Sequence, residues 1–242
     1  MLDAQGQYAA AEPLFQRALK IFEKQLGPGH PYTAHSLNNL AKLLHAQGQY
    51  AAAEPLCRRA LEILEKQLGR AHPQVATGLN NLAALLDAQG QHAAAELLYR
   101  RALEIHEKQL GPDHPDTAES LNNLAVLLHD QGQYTAAEPL FRRALEIHEK
   151  QLGSDHPNTA QSLNNLAGLL HDQGQYAAAE PLYHRSLEIR EKAYGPRSSG
   201  SRNNIRPRQI SPQNRRFFGH WLARCRPKTA GFFHSVGATQ GC

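Results

Sequence analysis

The sequence has few of the residues that build disulfide scaffolds, β-sheets and membrane spans. Its three cysteines, Cys57, Cys225 and Cys242, are odd in number and far apart, so they predict neither a disulfide framework nor a paired metal motif. Aromatic residues make up 7% of the chain. No apolar run approaches the roughly 18 residues that a membrane span needs. The first residues lack the basic start and apolar core of a signal peptide, which predicts a cytoplasmic protein.

Acidic residues are missing from one end of the chain. Residues 193–242 contain nine Lys or Arg and neither Asp nor Glu, so residues 1–192 hold 17 basic and 22 acidic side chains. Two physically different segments therefore share the chain. The start of the basic segment is rich in Arg, Ser, Pro and Gly, a composition that predicts a disordered tail over residues 195–242.

The tail has two interpretations. Its aromatic residues interleave with arginines, for example Phe217, Phe218 and Trp221 after Arg215 and Arg216. This pattern is compatible with association with nucleic acid or another acidic surface, through phosphate pairing and base stacking. The alternative is an unstructured extension, including one read in a shifted frame. The abrupt end of the preceding pattern favours the extension, so nucleic acid is not the expected partner.

A period of 42 residues dominates the rest of the sequence. It relates Gly6, Gly48, Gly90, Gly132 and Gly174. It also relates the Asn pairs Asn38-Asn39, Asn80-Asn81, Asn122-Asn123 and Asn164-Asn165, and the pairs His30-Pro31, His72-Pro73, His114-Pro115 and His156-Pro157. A fixed period of this length indicates a solenoid of stacked units.

Each unit is predicted to contain two helices. In the third full unit, the first helix spans residues 115 to about 130 and begins at a proline, which suits the first helical position. Gly132 ends it in a tight turn. The second helix spans residues 134–152, and Gly153 ends it. Residues 1–194 are therefore predicted to form one second helix without a partner, at residues 8–26, followed by four complete pairs.

The motif of the third unit resembles the tetratricopeptide repeat. Its positions are Leu121, Leu124, Ala125, Leu128, Gly132, Tyr134, Ala137, Phe141, Ala144 and Leu145. The usual repeat has 34 residues, and the 42-residue version is similar to the repeat of the kinesin light chain family. The resemblance implies an all-α, right-handed superhelical solenoid whose first helices line a concave groove. It implies a scaffold or adaptor that binds an extended peptide or a helix of a partner protein.

The helical repeat angle places a stripe of polar residues beside the core of each first helix. At about 100° per residue, Leu37, Leu40, Ala41 and Leu44 share one face, and the Asn pair lies on the adjoining face. The predicted partner-binding residues are Asn38, Asn39, Lys42, His45, Asn80, Asn81, Asn122, Asn123, His129, Asn164, Asn165 and His171. Amides can donate and accept hydrogen bonds, so they suit a peptide backbone. The open alternative is that one Asn of each pair ties its helix to a neighbouring element.

No sequence motif supports an enzyme, a cofactor, a metal site or a small-molecule substrate. His129 and His171 occupy equivalent places in units expected to lie about 10 Å apart, too far to share a zinc ion. His106 and His148 are predicted on the polar side of the second helices. Glu62, Glu65 and Lys66 are interpreted as a solvated face with pairing within the helix. A remaining alternative is a non-catalytic fragment of a larger signalling protein.

Overall fold

The computed structural model describes residues 8–195, which form nine α-helices and no strand within that range. The helices are α1 (Tyr8–Leu26), α2 (Pro31–Gln47), α3 (Tyr50–Leu68), α4 (Pro73–Ala88), α5 (His92–Gln109), α6 (Pro115–Asp130), α7 (Tyr134–Leu152), α8 (Pro157–Asp172) and α9 (Tyr176–Tyr194). The all-α solenoid is confirmed. Both helices predicted for the third unit begin and end where the sequence placed them. The predictions for the basic tail lie outside the described residues, apart from its first residue.

The first helix of every full unit begins with a histidine cap. His114 precedes α6 with extended backbone, and its Nδ1 accepts a hydrogen bond from the backbone N–H of Asp116 at 3.1 Å. Pro115 occupies the next position, where its missing N–H leaves no bond unmade. The same cap recurs at the other three His-Pro pairs. The histidines of these pairs therefore cap the helices at their entry.

Glycines with positive φ separate the helices. Gly132 has φ 76°, and its N–H donates to His129 O at 2.9 Å in the turn between α6 and α7. Gly153 has φ 93° and its N–H donates to Glu149 O at 3.2 Å, which ends α7. An L side chain is strained at these angles, so glycine sets the turn at both positions.

The core lies between the two helices of each pair and the first helix of the next pair. In the third pair, Ala118 and Leu121 of α6 pack with Ala144 and Ile147 of α7. In the fourth, Ala160 and Leu163 of α8 pack with Ile189 of α9, and Leu145 of the preceding second helix packs against the same cluster. The small alanines allow close approach, and the leucines and isoleucines fill the space between helices.

Cys57 belongs to this core. It is buried in α3, at the position that Tyr99, Phe141 and Tyr183 occupy in the later second helices. Burial raises the pKa of the thiol to about 11, so it stays protonated at neutral pH. Cys57 therefore acts as a small apolar residue of the core.

Ion pairs connect each second helix to the next. Arg101 of α5 contacts Glu65 of α3 at 2.6 Å, and equivalent pairs join Arg59 to Glu23 at 2.7 Å and Arg143 to Glu107 at 2.6 Å. Arg185 and Glu149 continue the series at 2.6 Å. The interpretation of Glu65 as part of a face paired within its own helix is therefore wrong. Its partner lies 36 residues away, in the next unit.

The first helices form the inner layer of the array. The backbones of α2 and α4, of α4 and α6, and of α6 and α8 approach each other directly, whereas successive second helices in the described range are joined through long Arg and Glu side chains. Closer spacing on the first-helix side bends a stack of units toward that side. The exposed face of the first helices is therefore the concave side of residues 8–195.

Candidate functional site

One line of residues along each first helix faces solvent on the concave side. On α2 it consists of His35, Asn39, Lys42 and Ala46, and on α4 its equivalents are Thr77, Asn81, Ala84 and Ala88. On α6 it consists of Glu119, Asn123, Val126 and Asp130, and on α8 of Gln161, Asn165, Gly168 and Asp172. We call these sixteen residues the groove stripe. Most of them are exposed or half-buried, and Gly168 is buried.

The two asparagines of each pair occupy different environments. Asn38, Asn80, Asn122 and Asn164 are buried, whereas Asn39 is exposed and Asn81, Asn123 and Asn165 are half-buried. The sequence prediction placed both members of each pair on the open face. The structure places only the second member there. Successive helical residues are about 100° apart, so one turns inward when the other faces the groove.

The buried asparagines connect successive first helices. Asn80 Nδ2 donates to Ser120 Oγ at 2.9 Å, and Asn122 Nδ2 donates to Ser162 Oγ at 2.8 Å. The Oδ1 atoms of both asparagines are buried and have no hydrogen-bond partner among the described residues. The alternative that one Asn of each pair ties its helix to a neighbouring element therefore describes these two residues.

Two second-helix histidines complete the same polar clusters. His106 Nδ1 lies 2.8 Å from Ser120 Oγ, and His106 Nε2 lies 3.2 Å from Pro73 O. His148 Nδ1 lies 2.9 Å from Ser162 Oγ. Desolvation lowers the pKa of His148, which favours its neutral form. The prediction that these histidines lie on a polar surface is wrong, since they are only 2% and 3% exposed.

The junction between the first two full pairs is built differently. Leu64 occupies the position of His106, and Gly78 occupies the position of Ser120. A Cβ on Gly78 would lie 3.4 Å from Leu61 Cδ1 and 3.5 Å from Leu64 Cδ1. Asn38 is buried there, and its Oδ1 has no partner among the described residues. An apolar contact thus replaces the polar cluster at this junction, with both members of the Ser–His pair changed together.

His129 and His171 meet at one carboxylate. His129 Nε2 lies 2.9 Å from Asp172 Oδ2, and His171 Nδ1 lies 3.1 Å from Asp172 Oδ1. His129 is buried and stacks edge-on against Phe141, so it does not lie on the open stripe. His171 is half-buried. Burial acts to raise the pKa of Asp172, but the hydrogen bonds from the two histidines outweigh it and lower that pKa.

The remaining predicted residues lie at the first unit of the groove. Lys42 is exposed on the stripe, and His45 is half-buried with its ring 5.3 Å from the ring of Tyr50. Toward the other end the stripe carries acidic side chains, including the exposed Glu119 and Asp130. The groove stripe therefore runs from a basic first unit to an acidic third and fourth.

Within the described residues, no cluster of three or more His, Cys, Asp or Glu side chains could hold a metal ion. In the same part of the chain, no helix has the length and apolar character needed to cross a membrane.

The tetratricopeptide repeat profile matches the chain at residues 1–66, 38–108, 98–150, 116–192 and 159–201. A comparison with curated protein sequences returned no match. The matched segments together span most of the sequence. The chain belongs to the tetratricopeptide repeat family, and its repeats are of the kinesin light chain-like type.

Solved structures share this architecture. A protein of kinesin light chain type with nearly identical TPR-like repeats, from Podosopora anserina, is 29% identical with a TM-score of 0.62, over 79% of this chain and 91% of that chain. BtubC (BKLC) from P. vanneervenii is 20% identical with a TM-score of 0.63, over 98% and 99%. A Rap protein complexed with Competence and Sporulation Factor is 21% identical with a TM-score of 0.67, over 79% and 51%. The last two likenesses concern the fold.

Proposed function

We propose that this chain is a non-catalytic adaptor that binds an extended peptide, or a helix, of a partner protein along the groove stripe. The tetratricopeptide fold is in general a scaffold for protein–protein interaction. The observation that supports a groove site here is the recurrence of one solvent-facing asparagine in each of four successive first helices.

The second asparagine of each pair is suited to contact with a peptide backbone. A side-chain amide donates through its NH₂ group and accepts through its carbonyl, as a peptide group does. Asn39, Asn81, Asn123 and Asn165 are spaced by one repeat, so they offer a regular series of such contacts. Asn165 Oδ1 already accepts from Gln161 Nε2 at 2.9 Å, and a ligand would exchange this partially solvated bond for its own.

Selectivity would come from the stripe positions that differ between repeats. His35, Thr77, Glu119 and Gln161 share one position, and Lys42, Ala84, Val126 and Gly168 share another. The charge changes from Lys42 in the first unit to Glu119 in the third. We therefore expect the bound segment to lie with its acidic side chains toward α2 and its basic side chains toward α6, because complementary charge sets orientation.

The test is a binding screen of the purified full chain against an unbiased peptide library. The variant Asn81→Ala, Asn123→Ala, Asn165→Ala removes three groove amides without touching the buried asparagines. The variant Gln67→Ala, Gln109→Ala, Gln151→Ala is the matched control, since it removes three exposed amides from the second helices. The proposal expects enriched peptides that bind the control variant normally and the groove variant at least tenfold more weakly.

Charge reversal tests the orientation separately. Lys42→Glu should weaken binding of peptides with an acidic residue near one end, and Glu119→Lys should weaken binding of peptides with a basic residue near the other. Peptides that bind all variants equally would place the site away from the stripe. A chain that is helical by circular dichroism and binds no peptide would contradict the proposal.

A further inference from the structure

Two carboxylates share the junction between the C-terminal ends of α4 and α6. Asp87 and Asp130 stand one repeat before His129 and Asp172 in the sequence. At the later junction, between α6 and α8, His129 Nε2 donates to Asp172 Oδ2 at 2.9 Å. The α4–α6 junction therefore has a second carboxylate at the position where the α6–α8 junction has a hydrogen-bond donor.

The carboxylates of this junction have only histidine partners among the described residues. Asp87 Oδ1 lies 2.8 Å from Nδ1 of His92, whose side chain is 52% exposed. Asp130 Oδ1 lies 3.6 Å from His129 Nδ1, which is too long for a hydrogen bond. The negative charges of Asp87 and Asp172 both act on Asp130 and contribute to its raised pKa. Asp130 thus lacks a donor of its own, although its side chain is 34% exposed to solvent.

Elsewhere in the described array, acidic side chains contact arginines. Glu65 contacts Arg101 of the next second helix at 2.6 Å, and Glu96 contacts Arg100 one turn later at 2.8 Å. Both kinds of pair recur in other units. Among the residues of the groove stripe, Lys42 alone is a Lys or Arg, and it lies on α2. A cation for the α4–α6 junction would therefore come from a segment bound in the groove.

The surface beside this junction suits a long basic side chain. Ala84 and Val126 lie on the groove stripe one turn before the ends of α4 and α6, and both are half-buried. Lys and Arg lay their methylene stems along apolar surface while the charged group reaches polar partners. A side chain that crosses Ala84 and Val126 can in this way bring its charge to Asp87 and Asp130.

We propose that the α4–α6 junction binds the guanidinium group of an arginine in the partner segment, between Asp87 and Asp130. This inference rests on the proposed groove function and names the side chain that the groove selects. Arginine fits better than lysine, because its planar guanidinium carries five N–H donors and can serve two separate carboxylates at once.

The experiment measures retention of peptides on the purified, immobilised full chain. The probes are three random peptide libraries that differ only in one central position, which is fixed as arginine, citrulline or glutamate. Citrulline has the shape of arginine without its charge. The site variant is Asp87→Asn, Asp130→Asn. The matched control is Glu146→Gln, Glu188→Gln, which removes the same charge from exposed positions of the second helices.

The proposal expects the wild type and the control variant to retain the arginine library at least tenfold more strongly than the other two libraries. The site variant should lose this preference. Asp87→His should lose it as well, because the new imidazole would donate to Asp130 as His129 does to Asp172. This second variant keeps Asp130 and supplies it with an internal partner, and thermal unfolding checks that both variants are folded.

Several outcomes would overturn the proposal. Equal loss of the arginine preference in the site and control variants would indicate general charge attraction. A preference that survives in the site variant would place the arginine elsewhere. Equal retention of all three libraries, lost in Asn81→Ala, Asn123→Ala, Asn165→Ala, would support the groove function without arginine selectivity. Retention of none of the libraries would contradict the groove function as well.

Discussion

Ser120 Oγ accepts a hydrogen bond from Asn80 Nδ2 at 2.9 Å, although the two residues are 40 positions apart and lie on successive first helices. His106 reaches the same hydroxyl from the second helix between them, at 2.8 Å. Three helices of two units therefore meet at one serine. The identical arrangement recurs 42 residues later at Ser162. This polar cluster joins units in a core whose other members are mainly Ala, Leu and Ile.

Replacing the serine at this repeat position should lower the free energy of unfolding only where the serine has both its Asn and its His partner, as Ser120 does. We expect Ser120→Ala to lower the free energy of unfolding by about 1–3 kcal/mol, because Asn80 and His106 each lose a buried partner. Ser36→Ala is the matched control: Ser36 is buried at the same repeat position, and its Oγ has no partner among the described residues. That variant should change stability by less than about 0.5 kcal/mol. Urea unfolding measures the free energy of unfolding of both variants. Equal losses in the two variants would contradict the stabilising role of the polar cluster at Ser120.

The apolar junction should accept the polar pair only when both members are introduced together. Leu64→His alone buries an imidazole without its serine, and Gly78→Ser alone places a hydroxyl against Leu61 and Leu64. We expect each single variant to be destabilising and the double variant to recover about 1–2 kcal/mol relative to additivity. A double-mutant cycle in urea gives this coupling energy. Strictly additive changes in the free energy of unfolding would show that the two positions are not energetically coupled.

Asp130 should make the array less stable at neutral pH. Partial burial raises the pKa of this carboxyl, and although His129 opposes the shift, Asp87 and Asp172 add to it. The folded state therefore holds the proton of Asp130 more tightly than the unfolded chain does. Its ionised form is therefore penalised at high pH, and the penalty disappears as pH falls toward the ordinary value of 3.8. Asp130→Asn should stabilise the protein by at most about 1 kcal/mol at pH 8, since the side chain is 34% exposed.

The gain from Asp130→Asn should be constant at pH values well above the raised pKa of Asp130, and it should shrink as pH falls through that pKa toward 3.8. Thermal unfolding across this range checks the sign. Glu119→Gln is a suitable comparison, because it removes an exposed carboxylate from the same helix. If the gain in stability of Asp130→Asn is independent of pH, its cause is packing and not the charge of the carboxylate.

Cys57 should resist thiol reagents in the folded protein. Its burial and its pKa of about 11 leave little thiolate at pH 8. In a variant with Cys225→Ser and Cys242→Ser, we expect reaction with a disulfide reagent at least 100-fold more slowly in buffer than in denaturing urea. Similar rates in the two conditions would show that α3 opens readily.

Local signals accounted for the helices and their order. The His-Pro pairs and the positive-φ glycines act within a few residues of where they stand, and the 42-residue period repeats these local signals in every unit. Helix bounds such as Pro115–Asp130 and Tyr134–Leu152 could therefore be predicted from sequence. The prediction from helical geometry placed Lys42 and the second asparagine of each pair on the open face, as the structure does, but it also placed there the first asparagine of each pair and His129, which are buried.

The environments of single polar residues depended on contacts between units. Asn38 and Asn39 are adjacent in the sequence, but in the folded array Asn38 is buried and Asn39 stays exposed to solvent. His106 looked like a surface residue because its partners, Ser120 and Pro73, lie 14 and 33 residues away. Glu65 likewise contacts Arg101 only because successive second helices lie side by side.

The sequence by itself determined the repeating helices and their spacing, since these follow from local backbone preferences and periodicity. The tertiary structure decided which polar groups became interior ties and which stayed open to a partner, because burial is set by neighbours 14 to 40 residues away.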